Sequence, residues 1–515
     1  MENNLIGFLD AYEDQDYLSK CFIETDFYNF SLKENINYIC GRRGSGKSAI
    51  VLRLQNSEKY AHHESIGGEE FYQQLINIIK ENPLNENLLN HLFKQIWKHL
   101  ILIAAMNAVI KNYKSKKEIP INLKKISNYL YIKGYAGNKP IKLWRKILIS
   151  LCNLIDKNKA KPGLQGIILS FLNNILGEQY FLDAEKELKN YLSKNTRTVV
   201  IIDTIIDHLT RDEFFLRCVE GLILAVLDLT CMKYSKYLEI KCCIPAEIYH
   251  YLKLYEISKI EDHLIQIDWR PKLLIMMISK RLFYNLVLQE IETEIAFNKI
   301  DWHDYSDVKN KAWNRYFPEY IYNYRNMKEK CEFYILRHTH LTPRELIRIV
   351  NKLIKYFGTS MKELEETIKL CVHDCINQTV KELIISNSFY LPHLENILQL
   401  SFHSKPRIMS IKEIRNALSD TRSYWKSPVL GVIIEDNIID YLISIGFFGL
   451  VISENIENEN FIKCRFSYMS PDKIHFNKDS LLAVHPMFYE KLNMPPYGDK
   501  IIYPVRHVSE STDHF

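Results

Sequence analysis

Eight consecutive residues carry the plainest chemistry in this sequence. Gly41-Arg42-Arg43-Gly44-Ser45-Gly46-Lys47-Ser48 fits the spacing G-x-x-x-x-G-K-[ST] at every fixed position. Glycines so placed let successive backbone N–H groups turn inward around a polyphosphate, and a helix starting at the lysine adds its positive dipole end at the same spot. Lys47 then reaches the β and γ phosphates, and Ser48 offers a hydroxyl to Mg²⁺, which keeps several waters and takes few protein ligands. The expected occupants are ATP and Mg²⁺. A glycine-rich turn before an ordinary helix is the bland alternative. Its flanks weigh against it, because the strand-like run Ile-Asn-Tyr-Ile-Cys (36–40) leads in and the helix-like 49–54 leads out.

A magnesium nucleotide site also needs an acidic group at the end of a neighbouring strand. Val199-Val200-Ile201-Ile202-Asp203 supplies one, so Asp203 is expected to share the ion with Ser48; an ordinary strand-ending aspartate is the competing reading. The next residue is Thr204, where many such sites carry a glutamate that deprotonates the attacking water. Hydrolysis is therefore expected to be slow. Asp207, one helical turn on, is explained equally well as a water-polarising group and as a carboxylate favoured by a helix dipole.

The elements that must position these groups follow from periodicity. The continuous β-branched run at 198–202 and another apolar run at 238–244 predict strands of a parallel sheet covered on both faces. Between the loop and Asp203, residues from about 69 to 195 have a mostly helical period, as at 86–114 and 143–156, and predict a helical insertion; a buttress and a functional module are both open readings of it. Helices are predicted again at 273–290, 344–356 and 361–384. Then come helices at 411–418 and 434–445 and a two-strand segment at 451–476, an order that suggests a winged helix. The expected fold is α/β: a P-loop parallel sheet core over 1–270, an all-α lid over 271–385, a winged-helix-like domain over 386–505 and a loose tail from 506. A length of 515 residues agrees with roughly three domains at about 150 residues each.

Composition narrows the function classes. Hydrophobic residues at 47% and charged residues at 25% exclude a disordered or collagen-like chain. The net charge of +5 is small for this length, so any nucleic-acid footprint is local. No basic segment followed by an apolar stretch opens the chain, and its most apolar segments, 100–106 and 222–229, fall short of the ~18 apolar residues of a membrane span. A cytoplasmic location without membrane attachment is expected. The 11 cysteines include no C-x-x-C pair; Cys371 and Cys375, with His373 between them, read as buried thiols rather than half of a metal site.

Taken together these segments resemble a prokaryotic P-loop ATPase family related to the AAA+ and STAND ATPases, of the origin-recognition type and of the kind found in anti-phage defence loci. The glycine loop, the strand ending in Asp203 and the run Cys243-Ile244-Pro245-Ala246-Glu247-Ile248-Tyr249 resemble its Walker A, Walker B and sensor 1 regions. Ile267-Asp268-Trp269 resembles the approach to its first lid helix. Thr342-Pro343-Arg344-Glu345-Leu346-Ile347, within 338–351, resembles its arginine-bearing lid helix, and His485-Pro486-Met487-Phe488 the end of its winged helix. The chain departs from the family at Thr204 and in offering cysteines at sensor 1.

The resemblance implies that Arg344 aims its guanidinium at the γ phosphate, with a solvated helix arginine as the alternative and Arg281, Arg348 and Arg42 as further candidates. It implies a nucleotide-dependent switch in a homo-oligomer or with a separate effector protein, acting in prokaryotic defence. A nucleotide-stabilised DNA-binding or assembly scaffold with little hydrolysis is the alternative, and a kinase is a third. Lys412, Arg415, Arg422 and Lys426 form a basic cluster near the winged helix, balanced by Glu435, Asp436, Glu454 and Glu457, so DNA is a possible partner.

Overall fold

The computed structural model describes residues 5–504 apart from internal segments, the longest being 68–85, 134–176 save three single positions, 204–212, 426–433 and 453–460. The chain is mixed α/β and divides into two compact units: a sheet unit of 26–41 with 47–266, and a C-terminal unit of 1–25, 42–46 and 267–515.

The sheet unit is built on five strands, β1 (Tyr38–Gly41), β2 (His62–Gly67), β3 (Thr198–Asp203), β4 (Leu238–Pro245) and β5 (Leu264–Gln266), in the order β2-β3-β4-β1-β5. Every pairing is parallel. β3 is buried along its whole length, because Val199, Val200, Ile201 and Ile202 find apolar surroundings on both faces; each such side chain contributes about 1.5–3 kcal/mol. The edge strand β2 reads His-His-Glu-Ser-Ile-Gly and is not foreshadowed by any apolar pattern. Of the expected insertion, helices Glu86–Lys111, Lys124–Ile132 and Gln179–Leu192 are described, and the helix expected at 143–156 lies outside the described residues. Helix Glu86–Lys111 packs on β2, β3 and helix Glu213–Met232, and the Trp97 indole donates to the Cys218 carbonyl at 3.1 Å. This first helix is thus a layer of the sheet's own core.

The C-terminal unit packs helices Pro271–Leu288, Pro343–Leu353 and Met361–Asn387 around Leu274, Ile278, Leu346, Val350, Ile368 and Val372. Cys371 and Cys375 belong to the same core, and the described residues contain no group of three or more His, Cys, Asp or Glu arranged to hold a metal. Residues 5–25 dock here too: Arg281, inside helix Pro271–Leu288, donates to the Asp14 carboxylate at 2.6 Å and to the Ile6 carbonyl at 3.0 Å. A short antiparallel hairpin, β6 (Tyr320–Tyr322) and β7 (Lys328–Lys330), interrupts the helices.

The chain ends in a second five-stranded sheet, β8 (Ile408–Ser410), β9 (Phe448–Val451), β10 (Phe461–Phe466), β11 (Leu481–Val484) and β12 (Ile501–Pro504), ordered β12-β10-β9-β11-β8. Helices Ile411–Ser419 and Glu435–Ser444 fall where the sequence places them, to within a residue or so. β11 lies between β9 and β8, and β12 runs parallel beside β10, additions to the two-strand segment expected there. The two units divide near 266, with 1–25 and 42–46 grouped with 267–515. The tail from 506 lies outside the described residues. No helix among the described residues is long and apolar enough to cross a membrane.

Candidate phosphate-binding site

The glycine loop leaves β1 at Gly41 and enters helix Lys47–Gln55 at its lysine. Gly44 and Gly46 have φ of +78° and +94°, backbone that L side chains rarely adopt, so the glycines are needed for the turn itself. A Cβ on Gly46 would meet nothing within 4 Å. The Lys47 ammonium donates to the Gly41 carbonyl at 2.7 Å. Ser45 is 4% exposed and its hydroxyl has no hydrogen-bond partner, a deficit worth about 1–3 kcal/mol that a phosphate oxygen would relieve. In the sheet unit, Lys47 at the start of its helix fits a phosphate; in the C-terminal unit, the turn through Gly44 and Gly46 carries the orphaned Ser45 hydroxyl.

Asp203 ends β3 and is 4% exposed. In register it faces Cys243 on β4, which in turn faces Ile39 on β1, so one strand separates the aspartate from the strand feeding the loop. With strands about 4.8 Å apart, this sets the two strand axes about 10 Å apart, room for an ion and its waters. Ser48 lies in the first turn of the loop helix, at the end of the sheet where Asp203 also sits, the carboxyl ends of the parallel strands. Burial raises the Cys243 thiol well above its ordinary value, and the Asp203 carboxylate adds to the shift. Cys243 is therefore a neutral thiol. Thr204 and Asp207 lie outside the described residues.

Within the C-terminal unit, loop residues 42–46 meet helix Pro343–Leu353. Thr342 caps that helix in a reciprocal box with Glu345, a T-P-R-E arrangement legible in sequence. The Arg344 backbone N–H donates to the Gly44 carbonyl at 3.3 Å, and a Cβ on Gly44 would stand 2.8 Å from the Arg344 Cβ. Arg344 is thus beside the loop. The three further arginine candidates have other partners: Arg281 holds Asp14, Arg348 pairs with Glu382 at 2.9 Å, and Arg42 donates to Ser444 and Ser467. Trp269 gains a role the sequence did not signal, its indole donating to the Ser45 carbonyl at 2.8 Å.

Two members of the basic cluster near helix Ile411–Ser419 are ion-paired. Arg415 grips Asp436 at 2.8 and 3.0 Å, and Arg422 pairs with Glu435. Lys412 is exposed, and Lys426 lies outside the described residues.

Comparison with known proteins gives one distant finding. The chain is 23% identical, over 536 aligned positions, to a protein of Escherichia coli (strain K12) named "Putative transposon gamma-delta 80.3 kDa protein", and the match covers 96% of this chain and 67% of that protein. No protein-family model matches the chain, and no solved structure matches it.

Proposed function

We propose that this chain binds ATP with Mg²⁺ in the Gly41–Ser48 loop and works as a slow, nucleotide-dependent switch. The observation that carries the reading is the loop's geometry: positive-φ glycines, Lys47 at a helix N-terminus, and Asp203 one strand removed at the carboxyl end of the same parallel sheet. Loop N–H groups and Lys47 hold the phosphates; Ser48 and Asp203 hold the ion, which supplies charge neutralisation between the β and γ phosphates. Arg344, beside Gly44, is the group offered to the γ phosphate. Asp207 is assigned to orient water in place of the glutamate that Thr204 replaces, so basal turnover falls below the ~1 per second of ordinary enzymes. The state of the γ phosphate is then read by the C-terminal unit, in a homo-oligomer or with an effector protein, in the cytoplasm of a prokaryotic cell defending its genome.

A second reading, a nucleotide-stabilised scaffold acting on DNA with little hydrolysis, gains support from the transposon association in the relative's name. Titration calorimetry of Mg-ATP against the wild type and Lys47→Ala tests the shared premise. Micromolar binding that weakens at least about 100-fold in a folded Lys47→Ala protein is expected, since deleting a charge-assisted phosphate contact costs about 3 kcal/mol; equal affinity in the two proteins refutes the site. Phosphate release with and without DNA then separates switch from scaffold.

A further inference from the structure

The loop's first variable residue points away from the chemistry. Arg42 donates from Nη2 to the Ser444 carbonyl at 2.7 Å and to the Ser467 hydroxyl at 2.8 Å, with its guanidinium 5.6 Å from the Tyr468 ring centroid. All four residues belong to the C-terminal unit, as do loop residues 42–46.

The way helix Glu435–Ser444 ends explains why this acceptor is available. Gly446, at φ +80°, lets the Gly446 and Phe447 N–H groups turn back onto the Ile443 and Leu442 carbonyls, while the Tyr441 carbonyl receives the Ile445 N–H. That closing turn satisfies three of the last four carbonyls and leaves the Ser444 carbonyl at the negative end of the helix dipole. Arg42 and the Ser467 hydroxyl, itself 3.0 Å from that oxygen, take it up. Burial keeps His340 and His485 uncharged, and Tyr468 meets His485 at 2.9 Å. The same loop is held at two more points, Gly44 by the Arg344 N–H and Ser45 by the Trp269 indole.

We infer that Ser444, Ser467 and Tyr468 are positioning residues for the phosphate loop, acting through Arg42, so that the end of helix Glu435–Ser444 and the turn after β10 preorganise the loop for its ligand. This rests on the ATP reading above and deepens it. A loop whose shape is fixed beforehand loses less entropy on binding, and linkage requires the coupling to run both ways: ATP must tighten the Arg42 contact by the factor by which the contact tightens ATP.

The test uses the full chain and Ser467, which touches no ligand. Ser467→Ala removes one neutral acceptor and should weaken Mg-ATP binding about two- to tenfold, the range of one such bond; Ser467→Thr, which keeps the hydroxyl, should restore it. In the wild type, Mg-ATP should slow amide exchange at Ile445, Gly446 and Phe447 by a similar factor, an effect that a purely structural serine would not produce. Unchanged affinity in folded Ser467→Ala overturns the inference, as does exchange at 445–447 that ATP leaves alone or speeds up while the loop helix becomes protected. Those outcomes leave ATP binding intact. Failure of the wild type to bind at all, with no protection of the loop helix, overturns both.

Discussion

The two five-stranded sheets differ in what they do with strand ends. In the parallel sheet every carboxyl end points one way, so Gly41, Gly67, Asp203 and Pro245 close one edge, where the loop also starts. In the C-terminal sheet the pairings are antiparallel except β10 with β12, and strand ends alternate. A parallel sheet gathers chemistry at one edge; the mixed sheet has no such edge, and its helix end and turn serve to grip Arg42. On the proposed reading the same contrast divides the work, with Lys47, Ser48 and Asp203 in the sheet unit and the contacts of loop residues 42–46 in the C-terminal unit.

The largest expected effect tests the chemical half of that division. Asp203→Ala should reduce phosphate release to background, while Mg-ATP affinity changes within about tenfold, because the proposed function gives the ion to the carboxylate and the phosphates to Lys47. Undiminished turnover would remove Asp203 from the site and with it the contrast between the sheets.

The second test sets the units against each other by pH. Burial holds His338 and His340 well below the ordinary value, with Arg337 adding to the first and His485 to the second, and holds His485 at about 3. All three are in the C-terminal unit. In the sheet unit burial takes His99 to about 3 and lowers His62 and His63. A histidine with a depressed folded pKa stays neutral when folded and gains a proton when unfolded. Its stabilisation is therefore complete above the ordinary histidine value of about 6.5 and is lost as pH falls below it. With three strongly shifted histidines against one among the described residues, the C-terminal unit should open first. Limited proteolysis from pH 7.5 down to pH 5, with cleavages mapped by mass, should show early cuts within 267–504; early cuts confined to the sheet unit would reverse the ranking.

The third compares two glycines of one loop. Gly46→Ala meets only backbone strain, about 1–2 kcal/mol, since nothing stands near its Cβ. Gly44→Ala adds a 2.8 Å approach to the Arg344 Cβ, and overpacking of that kind costs about 1–3 kcal/mol more. Denaturant titrations should rank Gly44→Ala as the less stable protein, and the opposite rank would mean that the helix bearing Arg344 yields to the loop.

How much of this was legible in the sequence follows from the same physics. β1, β3 and β4 declare themselves as apolar runs because both their faces are covered, and the loop declares itself because its backbone demands glycine at fixed positions. β2 is hidden because an edge strand tolerates His-His-Glu-Ser, and the hairpin β6–β7 because only Ile321 and Glu329 of its two strands are buried. The docking of residues 5–25 through Asp14 and Arg281, and of Arg42 on Ser444, links residues far apart in the chain; no local pattern encodes a partner about 400 positions away. Arg344 was legible as a helix-start arginine, whereas its contact with Gly44 needed the fold.

The smallest effect concerns the outer face of the C-terminal unit. Arg415 and Arg422 spend their charge on Asp436 and Glu435, pairs that are half-exposed and worth about 0.2–1 kcal/mol each. A duplex phosphate would have to displace those carboxylates, so wild-type affinity for DNA should be weak and steeply salt-dependent. Converting Glu435 and Asp436 together to alanine frees two guanidinium groups and should strengthen DNA binding severalfold, raising the salt slope by about one to two counterions. Fluorescence anisotropy with a labelled duplex at two salt concentrations reads both quantities. If the double variant binds no better than the wild type, this face is not a phosphate-tracking surface, and the C-terminal unit's contribution narrows to the loop it holds.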